Sequence, residues 1–238
     1  MRLWFCIIVS FCFAHSASAW NALGHMLVSQ IAYNYLTPEA KAKCDALIAV
    51  PLAVGGPSNN TFVTAAAWAD DHRNDLGNAT SHYINLPFSL DGTPTNGFVP
   101  AAFDVVQAIN QSIAVLQNPA SSLTNQATHL RYLVHFVGDI QQPLHCVTAM
   151  SSNSPKGDAG GNGFTFSGGS WGNMHFLWDS GGGYLTNFVA RPITPTGQSI
   201  LNAKMTDAIN HYSYTANPDA IPNPMTWAQE GLALAQTN

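Results

Sequence analysis

His135-Phe136-Val137-Gly138-Asp139-Ile140-Gln141-Gln142-Pro143-Leu144-His145 sets an imidazole and a carboxylate four residues apart, with a second histidine just beyond a proline. On a helix that spacing puts His135 and Asp139 on one face, where two side chains on adjacent turns can grip one ion. Residues Ser122 to Ile140 read as that helix. The pairing returns in His175-Phe176-Leu177-Trp178-Asp179. One such pair is more often a helix-surface hydrogen bond. Two pairs and His145 together point to a metal site.

Outward from this stretch most of the chain also reads as helix. The first helix runs from Trp20 to about Leu36, with Leu23, Leu27, Ile31 and Tyr35 on one face. Thr37-Pro38-Glu39 opens the next: Thr37 suits the N-cap, Pro38 the first helical position and Glu39 the first turn. Further stretches cover Thr61–Asn74, Pro100–Leu116, Ile200–Tyr212 and Pro224–Ala235. Leu86–Val99 and the glycine-dense Ser151–Gly172 read as irregular loops, Phe164 and Phe166 forming a short strand or hairpin arm in the second. With no repeat or linker, the expectation is a mainly α-helical, single-domain fold whose metal cleft is floored by helices and rimmed by long loops.

Residues 1–19 read as a cleavable signal peptide, with Arg2 as the positive start, Leu3 to Ala14 apolar and Ala17-Ser18-Ala19 as the cleavage site. The expected mature chain, residues 20–238, is exported, secreted or periplasmic, without a membrane anchor. Cleavage removes Arg2 and no acid, so the formal charge moves from −5 to about −6, the wrong sign for a basic nucleic-acid binder. Cys44 and Cys146 remain in an oxidising compartment. An even pair there favours one disulfide, the alternative being two buried free thiols.

Imidazole and carboxylate donors without thiolate suit zinc in a hydrolytic site that keeps positions open for water. Cleavage before Trp20 would also free an amine. That amine and the Trp20 carbonyl oxygen can close a five-membered chelate ring on a metal, with His25 completing the corner about one turn later.

Six segments, in order, now carry a resemblance: Trp20-Asn21-Ala22-Leu23-Gly24-His25, Trp68-Ala69-Asp70-Asp71-His72-Arg73, His82-Tyr83-Ile84-Asn85, the stretch 135–145, Gly160-Gly161-Asn162, and Asn173-Met174-His175-Phe176-Leu177-Trp178-Asp179. Across almost the whole mature chain the sequence resembles the single-strand-specific trinuclear-zinc nucleases of fungi, plants and some bacteria. That family shares a superfamily with zinc-dependent phospholipase C. The resemblance implies three zinc ions: one held by Asp70, His82, His135 and Asp139, a second by Trp20, His25 and the bridging Asp139, and a third by His145, His175 and Asp179. It implies catalytic roles for Asp70, Arg73 and Asp139, with Arg73 contacting phosphate. Tyr83, Asn85 and Asn162 become substrate-binding residues, Tyr83 as a base-stacking platform. Three zincs would add six positive charges in the cleft and cancel the charge objection. The implied partners are single-stranded DNA and RNA and nucleotides, the implied products 5′-phosphates, with 3′-nucleotidase activity alongside and a monomeric enzyme.

The chain departs from the family in two places. Asn85 stands where the fungal enzymes carry an aspartate for base reading, and an amide donates as well as accepts, so base preference does not transfer. Cysteines are fewer than in the fungal members. The alternatives are a phospholipase C, against which stand Asp179 in place of glutamate and Gly160-Gly161-Asn162, and a zinc-scavenging protein, in which Arg73 would have no duty. His72, His129 and His211 are expected on the surface or as satisfied core, Asp71 as a solvated neighbour, and Trp68, Trp171 and Trp178 as packing. The triplets at Asn59, Asn78 and Asn110 are of glycosylation type.

Overall fold

The computed structural model describes residues 20–56, 59–167, 171–212 and 223–237. The signal-peptide reading of residues 1–19 lies outside them. Helix α1 (Ala22–Tyr35) starts behind Asn21, whose side chain accepts from the Gly24 amide. In α2 (Pro38–Ile48) Thr37 caps the end by accepting from Ala40, with Pro38 in the first turn, as the sequence predicts. Capping fixes a helix start because the first amides have no partner inside the helix.

The expected single helix over Thr61–Asn74 is three short ones, α3 (Phe62–Ala65), α4 (Trp68–Asp71) and α5 (Arg73–Leu76). The backbone leaves helical geometry at His72 (φ −117°, ψ 15°), so Asp70 and Arg73 sit on different helices. A 3₁₀ turn, Ala79–His82, follows. Leu86–Val99 is not wholly irregular either: β1 (Leu86–Ser89) pairs in parallel with β2 (Val147–Met150), Leu86 opposite Val147 and Ser89 opposite Met150. A four-residue strand containing Pro87 gives almost no periodic signal.

Helix α6 (Val105–Gln117) begins later than Pro100, behind a capping box in which Asp104 and Gln107 satisfy each other's backbone amides. Helix α7 (Leu123–Ile140) is the axis of the molecule, capped by Ser122 and touched by α1, α2, α3, α4, α6 and α10. Helix α8 (Met174–Asp179) is capped by Asn173. Helix α9 (Pro195–His211) begins five residues before Ile200, because Thr194 and Pro195 supply the cap and first position. Helix α10 (Pro224–Thr237) closes the chain against α6, α7 and the strand pair. Among the described residues no helix is long and apolar enough to cross a membrane.

The main apolar cluster joins Trp68, Ile84, Phe88, Val105, Ile109, Phe136, Ile140 and Val147, and lies directly behind the histidine-bearing face of α7. Tyr35, expected on the apolar face of α1, is 52% exposed at the helix end. Trp68 is core, but Trp178 is 40% exposed, because α8 turns His175 and Asp179 inward and so turns Trp178 out. Phe164 and Phe166 flank Thr165, which bridges Asn173 in antiparallel fashion, so the expected arm is present as a single bridge.

The expected disulfide is absent: Cys44 and Cys146 are both free thiols. They belong to different clusters, Cys44 with Ile48, Phe62 and Leu130, and Cys146 with Ile140 and Val147. The Cys146 thiol donates to the Ile140 carbonyl, and burial pushes it up to about 12.

Arg131 ties α7 to α2 from inside the protein. It is 5% exposed and donates to the carbonyls of Ala127 at 2.9 Å and of Ile48, at the end of α2, at 2.8 Å. Arg131→Met keeps the apolar stem but leaves the Ile48 carbonyl without its charged donor. It should lower the unfolding free energy by about 2 kcal/mol. The readout is a lower urea midpoint at unchanged slope, and an unmoved midpoint would show that these bonds contribute nothing net.

Candidate metal and substrate site

Three elements converge on α7. His135 and Asp139 lie one turn apart on its buried face, and His25 from α1, Asp70 from α4 and His82 from the 3₁₀ turn point at them. His25 stacks on His135 with ring centroids 3.9 Å apart. The two oxygens of Asp139 serve different neighbours. Oδ1 is 3.3 Å from His25 Nε2, while Oδ2 is 3.0 Å from His82 Nδ1 and 3.2 Å from His135 Nε2. Asp70 also spans both sides: Oδ1 is 3.6 Å from the His82 and His135 nitrogens, and Oδ2 is 3.8 Å from His25 Nε2.

A second group lies at the C-terminal end of α7. The 3₁₀ turn Pro143–His145 presents His145, and α8 presents His175 and Asp179 one turn apart, as the spacing predicts. Three trios of donor atoms, each within 4.8 Å of one another, result: His25, Asp70 and His135; His82, His135 and Asp139; His145, His175 and Asp179. The last is the trio the resemblance implied. The first two share His135, and Asp70 falls with His25 and His135 rather than with His82 and Asp139.

Hydrogen bonding fixes which ring nitrogen each histidine offers. His135 Nδ1 donates to the Ala66 carbonyl at 2.6 Å, His145 Nδ1 to the His82 carbonyl at 2.7 Å and His175 Nδ1 to the Gly160 carbonyl at 2.7 Å. Each Nε2 is therefore the nitrogen turned toward the site, the arrangement found when the far nitrogen of a metal-bound imidazole is held by a carbonyl. The Nε2 atoms of His145 and His175 face each other at 2.9 Å. Two lone pairs at that distance repel, and a cation among them removes the repulsion. Both ring nitrogens of His25, Asp70 Oδ1, His82 Nε2 and Asp139 Oδ1 are buried without a hydrogen-bond partner among the described residues. Buried orphan polar atoms are rare. The donor set fits metal ions.

The electrostatics agree. Burial drives His145 down to about 3 and lowers His25, His82 and His175. His135 feels the same burial, but the facing carboxylates of Asp139 and Asp70 outweigh it and raise His135 to about 9. Burial likewise works against the Asp139 carboxylate, yet the adjoining His135 and His82 hold its pKa well below the ordinary range. Asp179 has less compensation: burial lifts it to about 9 despite a bond from Gln142. A carboxyl in that position ionises readily only beside a cation.

Beside His145 and His175 opens a cleft of about 580 Å³, lined also by Tyr83, Asn85, Asn162, Thr165 and Asn173. The parallel strand pair builds this wall, because its ladder continues upstream through the Ile84 amide to the His145 carbonyl (2.8 Å). Tyr83 and Asn85 are thus laid alongside His145. Ala159 and Leu144 line the cleft too, and Gly160, at φ +64°, passes so close that a Cβ there would stand 2.1 Å from the Leu144 carbonyl oxygen. Arg73 donates to the Ala79 carbonyl at 3.2 Å, and its charge is felt at His175 and Asp179. Trp20 is half-buried, its indole nitrogen bonded to the Gly138 carbonyl at 2.9 Å.

Other residues fall as the sequence suggests or correct it. His72 pairs with Asp75, His129 with Ser112 and His211 with Asp207, all outside the trios. Asp71 is no mere solvated neighbour, since Arg191 forks onto both its oxygens and Asn59 donates to it. Gln142 was given no role by the sequence reading, yet it is fully buried and donates to Asp179 Oδ1 at 2.8 Å while accepting from the Leu144 amide. Its place between Asp139 and His145 was the available signal. The carbonyls of Ala66 and Gly160 left no side-chain signal at all.

Comparison with known proteins places this geometry. The S1/P1 Nuclease family model matches residues 20–238. Nuclease P1 of Penicillium citrinum is 32% identical over 132 residues, 53% of this chain and 47% of that protein. Nuclease S1 of Aspergillus oryzae is 29% identical over 172 residues, 68% of this chain and 53% of that one. Endonuclease 3 of Arabidopsis thaliana is 25% identical over 257 residues, 99% and 80% of the two chains. The chain thus spans about half the length of the two fungal relatives. A family match that starts at Trp20 and runs through all three donor trios means that the chain belongs to the S1/P1 nuclease family.

Proposed function

We propose that the chain is an exported, monomeric zinc-dependent phosphodiesterase that cleaves single-stranded DNA and RNA to 5′-phosphate products and also removes 3′-phosphates from nucleotides. The observation that carries this reading is the continuity of the His145–His175–Asp179 trio with a cleft lined by Tyr83, Asn85 and Asn162. Metal donors and a base-sized recess share the same histidines. The names of the fungal and plant relatives support nuclease chemistry, and the family match beginning at Trp20 supports removal of residues 1–19.

His82, His135, Asp70 and Asp139 would hold one zinc, Trp20, His25 and Asp139 a second, and His145, His175 and Asp179 a third. Zinc bound there supplies a nucleophilic water near neutral pH and Lewis acidity toward phosphoryl oxygens. The residues of the chain do the rest. Asp139 turns one oxygen to each side of the paired site, so a single carboxylate would balance two cations. Tyr83 stacks a base inside the cleft, and the amides of Asn85 and Asn162 meet its polar edge. Arg73 sits where its charge stabilises phosphoryl oxygens as the 3′-oxygen departs. Because a base must leave a duplex to enter the cleft, single strands are the better substrates.

The deciding experiment gives zinc-loaded residues 20–238 single-stranded RNA, single-stranded DNA, duplex DNA and phosphatidylcholine. Cleavage of both single strands is expected, with loss in chelator and recovery with zinc better than with magnesium. Hydrolysis of phosphatidylcholine instead, or undiminished activity after exhaustive chelation, would remove this reading. Asp139→Asn keeps the size of the bridge but not its charge. It should cost one or two zinc ions per chain by elemental analysis, and turnover by about three orders of magnitude or more; three retained zincs at normal turnover would contradict the bridging role.

The terminal ligand is tested by processing. An amide nitrogen in mid-chain has its lone pair delocalised and is a poor zinc donor, whereas a free amine is a good one. A form with an uncleaved N-terminal tag should bind two zincs firmly and show little nuclease activity. Proteolytic release of Trp20 should bring back the third ion and the activity together. An intact tagged form as active as the trimmed one would take Trp20 out of the ligand set.

A further inference from the structure

We infer that the indole ring of Trp20, and not only its main-chain atoms, is a positioning device that aims the terminal amine at the paired metal site. This rests on the proposed terminal-ligand role. Any residue supplies an amine and a carbonyl oxygen, so ligation by itself gives no reason for a tryptophan. The contacts around residue 20 give one.

Trp20 Nε1 donates to the Gly138 carbonyl at 2.9 Å, which fixes the side chain to α7 one residue before Asp139. The next amide, that of Asn21, donates to the Asp179 carbonyl at 2.9 Å, and the Asn21 side chain donates to the Leu185 carbonyl at 2.7 Å. The Trp20 Cα is therefore held through two of its substituents, Cβ by the indole and the carbonyl carbon by the Asn21 peptide. At a tetrahedral L-centre with those two fixed, the direction of the nitrogen is decided by chirality. The amine needs no search.

The neighbourhood is cut to fit the ring. Gly24 lies beneath it, and a Cβ there would stand 2.6 Å from Trp20 Cβ. The anchors lie on two elements: Gly138 belongs to the helix that carries His135 and Asp139, and Asp179 ends the helix that carries His175. Residues 20 and 21 thus hold the two donor groups in register with each other.

The test compares Trp20→Phe with wild type in two forms, trimmed to a native residue-20 terminus and carrying an intact N-terminal tag. Zinc binding is followed by titration against a chromophoric chelator and by ion count. In the trimmed form the variant should bind one ion about tenfold more weakly, since one neutral hydrogen bond and the preorganisation it gives are lost. The tagged forms of variant and wild type should bind two ions alike. Substitution of Trp20 by benzothienylalanine, which keeps the ring shape but has no N–H, should reproduce the trimmed result and covers a failure of the phenylalanine variant to fold.

Wild-type zinc affinity in both trimmed variants would overturn the inference. Equal weakening in tagged and trimmed forms would also overturn it, because it would mark the ring as mere packing. If tagged and trimmed wild type bind the same number of ions, the terminal-ligand reading itself falls, and the inference with it.

Discussion

Three backbone carbonyls, those of Ala66, His82 and Gly160, each take the Nδ1 proton of a buried histidine, and the arrangement of the site follows from those bonds. An imidazole in the protein interior can present either nitrogen. Once one is committed to a carbonyl the other has a fixed direction and a lone pair. The lone pairs of His145 and His175 are driven against each other, and His135 Nε2 is brought to 3.0 Å from His82 Nδ1 and 3.2 Å from Asp139 Oδ2. The protein accepts this repulsion, together with a carboxyl on Asp179 that burial lifts to about 9 even with the charge of Arg73 acting on it. Such frustration is costly unless cations complete it.

The irregular parts of the chain exist to deliver those carbonyls. Ala66 follows α3, at the break before α4, so its carbonyl is available to His135. Gly160 adopts a left-handed conformation under the Leu144 carbonyl, which a larger residue could not do, and from there it reaches His175. The short parallel ladder between β1 and β2 carries His82, Tyr83 and Asn85 past His145. Substrate recess and metal donors are therefore parts of one hydrogen-bonded network. A shift in the strand register would move both.

Helices give the site its rigidity. Asp139 stands at the end of the longest helix among the described residues, one packed against six other helices, so the carboxylate proposed to be shared is held firmly. Ser122 caps the other end of that helix, and Arg131 ties its middle to the end of α2. Gln142 extends it sideways, fixing one oxygen of Asp179 and leaving the other toward His175.

What the sequence determined by itself was local and periodic. The spacing of His135 and Asp139, and of His175 and Asp179, needs only the pitch of a helix to put donor beside donor, and the cap at Thr37 needs only the unpaired amides of a first turn. The break of residues 61–74 into three helices, the strand at Leu86–Ser89 and the separation of Cys44 from Cys146 were not legible, because each is decided by partners distant in the chain. The sharing of His135 between neighbouring trios was no more legible. A side chain's type is written in the sequence, but which carbonyl takes its proton is settled only when the carbonyl of another segment arrives, and that bond chooses the nitrogen left to hold a metal.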